Sequence, residues 1–434
     1  MEKGERNMDE RDEALKRDRE RQRKREELRQ KREEQVKKQK KIAAGVSILA
    51  LVLLIAGIFA GVQISKNIKA DKAREKARQE KLAKEKEQEE NTVEFLAVGD
   101  NIAHQAIRES GMQENDVWNY DHVYQYVKKD VEAADLSLVT QETVFVEDRN
   151  NVSGYPTFGT PPEFGDALVN TGFDVVAHAT NHILDKGTKS IEYTLDWWKT
   201  NHPDTKILGI HESQEAADEI TVIKCKKLKI AMLDYTYGLN GLELPSDKKY
   251  LTDVFDAEKA RSDIQRAKEM ADVVMVVMHV GVEYQQDVDD ETKQWVDLFL
   301  EEGVDIVIGS HPHVVRTMET LTGEDGHKML VYYSLGNFTS TQNDLPSLLG
   351  AMAKITIRKN IETGEIEIPE HEFIPLLMYY DRENPAAAIY KLEDYPEELI
   401  KKHSVYKANP TEFSKEYYDC LLYTSPSPRD STSS

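Results

Sequence analysis

Cysteine is nearly absent from this chain of 434 residues, occurring only at Cys225 and Cys420. Two thiols supply neither a disulfide framework nor a thiolate zinc cluster. Any metal site must therefore be built from His, Asp, Asn and Glu. Repetition at a fixed period is missing too, which excludes solenoids and propellers. Basic charge is scarce from Asn91 onward, where 31 Lys/Arg face 60 Asp/Glu, and that acidic excess argues against a nucleic-acid partner. Charge of either sign is lacking from 42–65, which reads IAAGVSILALVLLIAGIFAGVQIS.

At about 1.5 Å per residue, such a run is long enough to cross a hydrocarbon core of about 30 Å. A buried core helix is the other reading of an apolar stretch. The preceding 1–41 carry 17 Lys/Arg and 12 Asp/Glu with few apolar side chains. That is too long for the start of a cleaved leader, and no A-x-A-like site follows, so a signal anchor is expected. Flanking charge is nearly tied, with seven Lys/Arg in the 15 residues before the run and six in the 15 after. The cost of moving the basic segment across a membrane favours a cytoplasmic N-terminus and an extracytoplasmic large domain on a single-pass cell-membrane protein. Residues 37–41 would then lie near anionic head groups, each basic side chain contributing about 1 kcal/mol.

The expected organisation is a charged cytoplasmic segment (1–41), a transmembrane anchor (42–65), a charged stalk or solvated helix (66–90), one large domain (91–380) and a C-terminal extension (381–419). The final 420–434, CLLYTSPSPRDSTSS, resemble translated adapter sequence and are set aside as a non-native or disordered tail.

Within the large domain, β-branched runs alternate with amphipathic stretches, as in a layered α/β fold. Strands are expected at 93–98, 136–140, 174–178, 221–224, 229–234, 273–279, 305–309, 329–335 and 351–358. Helices are expected at 121–134, 162–171, 189–201, 257–271 and 290–302. Gly172 and Gly303 suit left-handed helix ends that turn straight into strands. Such units gather strand carboxyl ends on one edge, where open α/β sheets bind ligands.

Four stretches place polar side chains at such ends: V-G-D-N-I-A-H (98–104), A-T-N-H-I-L-D (179–185), M-H-V-G-V-E-Y (278–284) and G-S-H-P-H (309–313). Asp100 reads as a ligand or as a helix-capping turn Asp. His104, four residues on, shares a helical face with Asp100 if a helix begins there, and otherwise forms a pocket wall. Glu142 ends the second strand, where a carboxylate can bridge two cations or simply face water. Asn181 offers an amide oxygen to a metal while His182 faces substrate, with Asp185 fixing the imidazole tautomer; ordinary turn chemistry is the alternative. His178 is read as structural. His279 closes an apolar strand, so its ring needs a partner, and a metal would serve. Glu283 and Tyr284 follow as groups that orient ligand or substrate. His311 and His313 flank Pro312 in a segment read as extended, projecting the same way. Asn337 ends a further strand and either touches the site or turns the chain.

Taken in order, G-D (99–100), Q-E-T (141–143), A-T-N-H-x-x-D-K-G (179–187), H-V-G-V-E-Y (279–284), G-S-H-P-H-V (309–314) and Y-S-L-G-N-F (333–338) resemble the CapA family of capsule or poly-γ-glutamate synthesis proteins, within the calcineurin-like metallophosphatase superfamily. The resemblance spans about 91–380. It implies a four-layer α/β/β/α sandwich with two divalent metal ions at the sheet edge, held by Asp100, Glu142, Asn181, His279, His311 and His313. His182 would protonate a leaving group. Oxygen and imidazole donors suit Mn, Fe or Zn. The sequence departs from the family pattern in having Thr140-Gln141-Glu142 where N-L-E is usual, Val280 where Trp is common and Ser310 where a second His is common. The superfamily's D-x-H and G-D-x-x-D motifs are absent.

The function expected is that of a membrane-anchored, metal-dependent hydrolase acting in synthesis or export of an anionic surface polymer or its precursor, alongside other subunits of an export complex. A non-catalytic scaffold in such a complex, and a free-standing phosphoesterase on nucleotides or lipid-linked phosphates, are the competing readings.

Overall fold

The computed structural model describes residues 2–114, 117–408, 410, 413–414 and 417–418. The tail expected at 420–434, with Cys420, lies outside them. The chain divides into two units, Met1–Lys84 and Glu85–Ser434.

The first unit is most of a single helix, α1 (Glu2–Glu90). Its uncharged run is the one candidate span among the described residues, long and apolar enough to cross a membrane. Leu53 and Phe59 within it are 65% and 75% exposed, which rules out a buried core helix. Ion pairs one turn apart, such as Arg29 with Glu33 and Lys76 with Glu80, line the helix on either side of the run. Residues 66–90 are thus continuous helix.

The second unit is built on two sheets. One contains β1 (Thr92–Asn101), β2 (Leu136–Gln141), β3 (Val175–Ala177) and β4 (Lys206–Leu208), all parallel. The other contains β5 (Thr221–Cys225), β6 (Leu228–Thr236), β7 (Val273–His279), β8 (Ile306–Ser310), β9 (Met318–Thr322) and β10 (Lys328–Tyr332), in the order β5-β6-β7-β8-β10-β9. Its central β6, β7, β8 and β10 run parallel. The first sheet is completed by β11 (Asn337–Thr339), β12 (Leu349–Lys359), β13 (Ile366–Asp381) and β14 (Ala386–Lys391), giving β14-β13-β12-β1-β2-β3-β4 with β11 beside β1.

The period of two along a strand explains the layering. In β7, Val273, Met275 and Val277 join Phe95 of β1 and Ile306 and Ile308 of β8 in the core between the sheets. Val274, Val276 and Met278 face the other way, against Ala260, Ile264 and Ala267 of α8 (Ala257–Met270) and Trp295, Val296 and Phe299 of α9 (Asp290–Glu302). A strand buried on both faces reads as continuously apolar, as this one does. The first sheet's other face is covered by α2 (Gln105–Ser110), α3 (Asp121–Tyr124), α4 (Lys128–Glu132), α5 (Glu163–Thr171) and α6 (Thr188–Asn201), which completes an α/β/β/α sandwich. The short α7 (Gln214–Ala217) leads into β5. Gly172 and Gly303 end α5 and α9 with φ of +111° and +82°, as their positions predict.

The helix expected over 121–134 is instead two short helices, α3 and α4, separated by a turn at 125–127. Folding also continues beyond residue 380, because β13 pairs with both β12 and β14. Pro369, Pro375 and the Glu370-His371-Glu372 run hide β13 from its sequence. Pro369 falls where the register with β12 shifts, between Thr356 and Arg358, so the ladder gives up no pairing that the proline lacks.

Candidate metal centre

Both parallel sets of strands deliver their carboxyl ends to one place. Asp100 lies inside β1, whose pairing with β2 shifts register between Val98 and Asp100 at Gly99. A Cβ on Gly99 would come 1.9 Å from the carbonyl oxygen of Gly336, so glycine is what lets the chain before Asn337 approach. Asp100 and His104 therefore share no helical face: Asp100 is in a strand, and His104 precedes α2. Glu142 leaves β2, Asn181 and His182 leave the loop after β3, His279 closes β7 and His311 follows β8.

A separate apolar cluster pins these loops. Val144, Ile183, Leu184 and Leu239, neighbours of the site residues, pack with Ile191, Ile210, Leu244 and Leu251. The polar groups gathered here are thus fixed from behind by hydrophobic contact.

Asp100, Glu142 and His313 each present a donor atom within 4.8 Å of the others, and all three are buried. Oδ2 of Asp100 accepts from the His311 backbone N–H at 2.9 Å, while Oδ1 has no hydrogen-bond partner and lies 3.6 Å from His279 Nδ1. Both oxygens of Glu142 are unpartnered; Oε1 is 3.8 Å from His182 Nε2 and 3.8 Å from His313 Nε2. Asn181 Oδ1 sits 2.8 Å from His279 Nε2, and Ser310 Oγ 2.9 Å from His279 Nδ1. His313 Nδ1 is 3.0 Å from Asn337 Oδ1, which fixes the ring and leaves Nε2 toward Glu142. His311 Nδ1 is unpartnered, and its ring packs on Tyr237 at 4.7 Å and His279 at 4.8 Å.

The segment holding His311 and His313 is a bend, correcting the extended reading: φ is +93° at His311 and +58° at His313. Asn240 and Tyr284 also have positive φ, so four of the five such non-glycine residues among the described ones lie at this site. Backbone held outside its usual regions tends to collect where side chains must be aimed.

Burial dominates the electrostatics. It raises the Asp100 carboxyl to about 7 and the Glu142 carboxyl well above its ordinary range, Asp100 and Glu142 being close enough for like charge to add to the effect. It depresses His311 to about 3, His313 to about 4 and His279 well below normal, so the imidazoles stay neutral. Neutral imidazoles are the ligand form, and two buried carboxylates with orphaned oxygens lack compensating positive charge. The donor set therefore fits a divalent cation.

His182 stands beside this cluster. Its Nδ1 is 2.7 Å from Asp185 Oδ2, which also accepts from the Phe158 backbone N–H at 2.6 Å, and its ring meets Phe158 edge-on at 4.8 Å. His104 is a wall: Phe158 packs on its ring and its Nδ1 accepts from the Thr341 N–H at 3.3 Å. His178 is structural, with Nε2 accepting from Trp198 Nε1 at 3.0 Å. Glu283 is exposed and makes no hydrogen bond to the cluster among the described residues. Tyr284 lies across from His313 at 5.8 Å and accepts from Gln342 at 3.1 Å.

Several participants escaped the sequence reading. Asn240 accepts from Asn181 Nδ2 at 3.0 Å, and Asn240-Gly241 was legible only as turn chemistry. Arg316 is fully buried and ties down the loop of Glu283 and Tyr284 through Asp289 and the carbonyls of Val282 and Gln285. Asp234 of β6 accepts from the His178 and Ala179 N–H groups at 3.0 and 2.8 Å, holding the loop of Asn181 from the other sheet.

The model of a family described as bacterial capsule synthesis protein PGA_cap matches residues 94–342. The chain is 29% identical over 262 residues to the PGA biosynthesis protein CapA of Bacillus subtilis (strain 168), covering 59% of this chain and 67% of that protein. It is 23% identical over 291 residues to the capsule biosynthesis protein CapA of Bacillus anthracis, covering 65% and 68%. Among solved structures, the NAD nucleotidase NadN of Haemophilus influenzae aligns at 10% identity and TM-score 0.42, over 77% of this chain and 60% of that one. The calcineurin-like phosphoesterase YfkN of Bacillus subtilis aligns at 15% identity and TM-score 0.35, over 76% and 99%.

Proposed function

Because the chain belongs to the PGA_cap family of bacterial capsule synthesis proteins, we propose that it acts as a metal-dependent hydrolase in making or exporting an anionic surface polymer of the poly-γ-glutamate type, anchored to the membrane by α1. The observation that carries this reading is the convergence of unpartnered oxygens of Asp100 and Glu142 with neutral imidazoles at strand ends from both sheets.

Asp100, Glu142, Asn181, His279, His311 and His313 would hold two divalent cations. When bound, these would supply Lewis acidity toward an ester or acyl oxygen and would make water at the centre a stronger acid. The remaining work falls to this chain's own groups. Asp185 accepts a hydrogen bond from His182 Nδ1–H, which orients the ring with Nε2 toward the centre, where it would carry a proton to a leaving oxygen or nitrogen. Asn337 and Ser310 hold the rings of His313 and His279 at their Nδ1 atoms. Phe158, with edges on both His104 and His182, excludes water from one side. The 17 basic side chains of 1–41, costly to move across a membrane, support a reading with that segment inside the cell and the large domain outside.

Elemental analysis of the full-length protein beside a His311→Ala, His313→Ala variant, after dialysis without chelator, tests this. Near two transition-metal equivalents, lost in the variant, are expected. Absence of metal from both proteins would overturn the hydrolase reading in favour of a scaffold, whose signature is loss of polymer on deleting 1–41 but not on mutating the centre.

A further inference from the structure

The acidic second unit contains seven arginines among its described residues. Five pair with carboxylates: Arg149 with Glu163, Arg261 with Glu301 and Glu302, Arg266 with Asp263, Arg316 with Asp289 and Arg358 with Glu367. Arg108 and Arg382 form no ion pair within the described residues. With 60 acidic side chains available from Asn91 onward, an arginine without one is a departure from the local rule.

Both arginines lie near His104, the wall of the candidate site. Arg108 follows one turn after His104, its N–H bonding the His104 carbonyl at 2.9 Å. Its Nε is buried without a partner, and its Nη2 lies 3.2 Å from where a Cβ on Gly154 would be, against the same loop that carries Phe158. Arg382 projects from the end of β13. It bonds only neutral acceptors, Thr341 O at 2.8 Å and Asn343 Oδ1 at 2.9 Å, and stacks over Tyr380. Thr341 is also the residue whose N–H reaches His104. The next residue, Gln342, bonds Asn337 at 2.9 Å and Tyr284 at 3.1 Å, which leads directly to His313. Burial first, with the positive charge of both arginines adding to it, holds the His104 imidazole down to about 3.

We propose that Arg108 and Arg382 form an anion subsite beside His104, taking a carboxylate of the polymer outside the bond being cut. This rests on the polyanionic substrate proposed above but not on the metal. The guanidinium of Arg382, held by neutral partners, and that of Arg108, whose Nε has none, keep free N–H donors in a planar fork, which suits carboxylate and phosphate alike. With no ion pair to the domain's own carboxylates among the described residues, their charge stays available, and the surrounding acidic surface would repel polymer elsewhere.

The test is calorimetric titration of the full-length protein in detergent with hexaglutamate and, separately, with inorganic phosphate, both metal-loaded and chelator-treated. For Arg108→Ala, Arg382→Ala a loss of affinity of about tenfold or more is expected, with metal content unchanged. Arg108→Lys, Arg382→Lys should recover part of it, and Arg266→Ala should bind as wild type. Arg382 is exposed, so Arg382→Ala alone gives the answer if the double variant does not fold. Arginine-dependent binding of hexaglutamate supports the polymer as source; the same dependence for phosphate only supports the subsite and names phosphate. Wild-type affinity in the arginine variants, or no binding of either probe, overturns it. Arginine-dependent binding that persists in chelator would stand even if the hydrolase reading fell.

Discussion

The backbone N–H of His311 donates to Asp100 Oδ2 at 2.9 Å across 211 residues of sequence, joining the end of β8 in one sheet to β1 in the other. One carboxylate oxygen is thereby committed to holding the sheets together, and the second, Oδ1, is left unpartnered in a buried place. One oxygen of this side chain serves the fold, and the other is left to the metal site proposed above.

Asp100→Asn keeps an acceptor for His311 but removes a buried negative charge beside Glu142. In chelator at pH 8 this variant is expected to melt roughly 2–8 °C above chelated wild type. Added Mn or Zn should raise the wild-type melting temperature and leave the variant's almost unmoved. A chelated variant that melts below chelated wild type would show that the carboxylate is not a liability without metal.

Asp234 makes the reciprocal tie, from β6 to the loop after β3, and burial raises its carboxyl to about 8. Between the ordinary value of 3.8 and about 8 the folded form holds a proton that the unfolded form has lost. Its contribution to stability is therefore greatest at low pH and is lost as pH rises through that window. Asp234→Asn keeps acceptance from both N–H groups and removes the dependence. Denaturation midpoints from pH 5 to 9 should show the variant gaining on wild type as pH rises; parallel profiles would contradict this.

Removing His182 leaves the cluster of Asp100, Glu142 and His313 in place. His182→Ala should retain its metal while turnover of a generic phosphodiester falls about 10²-fold or more. Asp185→Asn should fall by less, since it loosens the tautomer and the Phe158 loop without removing the ring. Loss of metal in His182→Ala would instead make that residue a ligand.

The orientation of the anchor is read by proteolysis. Protease added to intact cells is expected to degrade the large domain and to spare an epitope within 1–41. Protection of the domain until the membrane is opened would reverse the assignment.

Much of this molecule was written locally. An uncharged run of 24 residues needs no tertiary partner to define it, and the apolar runs of β1, β2, β3, β7 and β8 followed by Asp, Glu, Asn and His placed candidate ligands at strand ends. The motifs also gave the family, and six ordered signals sufficed because each stands next to a strong strand. Tertiary structure decided what depends on residues far apart. The proximity of Asp100 to His313 arises only when two sheets close on each other, and the positive φ of His311 and His313 is enforced by packing on Tyr237 and Asn337 rather than by local preference. Asn240, Asp234 and Arg316 carry no signature because a turn Asn, a strand Asp and a loop Arg look ordinary until their partners are known. The strand β13 was hidden for the same reason: pairing on both sides outweighs two prolines, and pairing is a property of the fold.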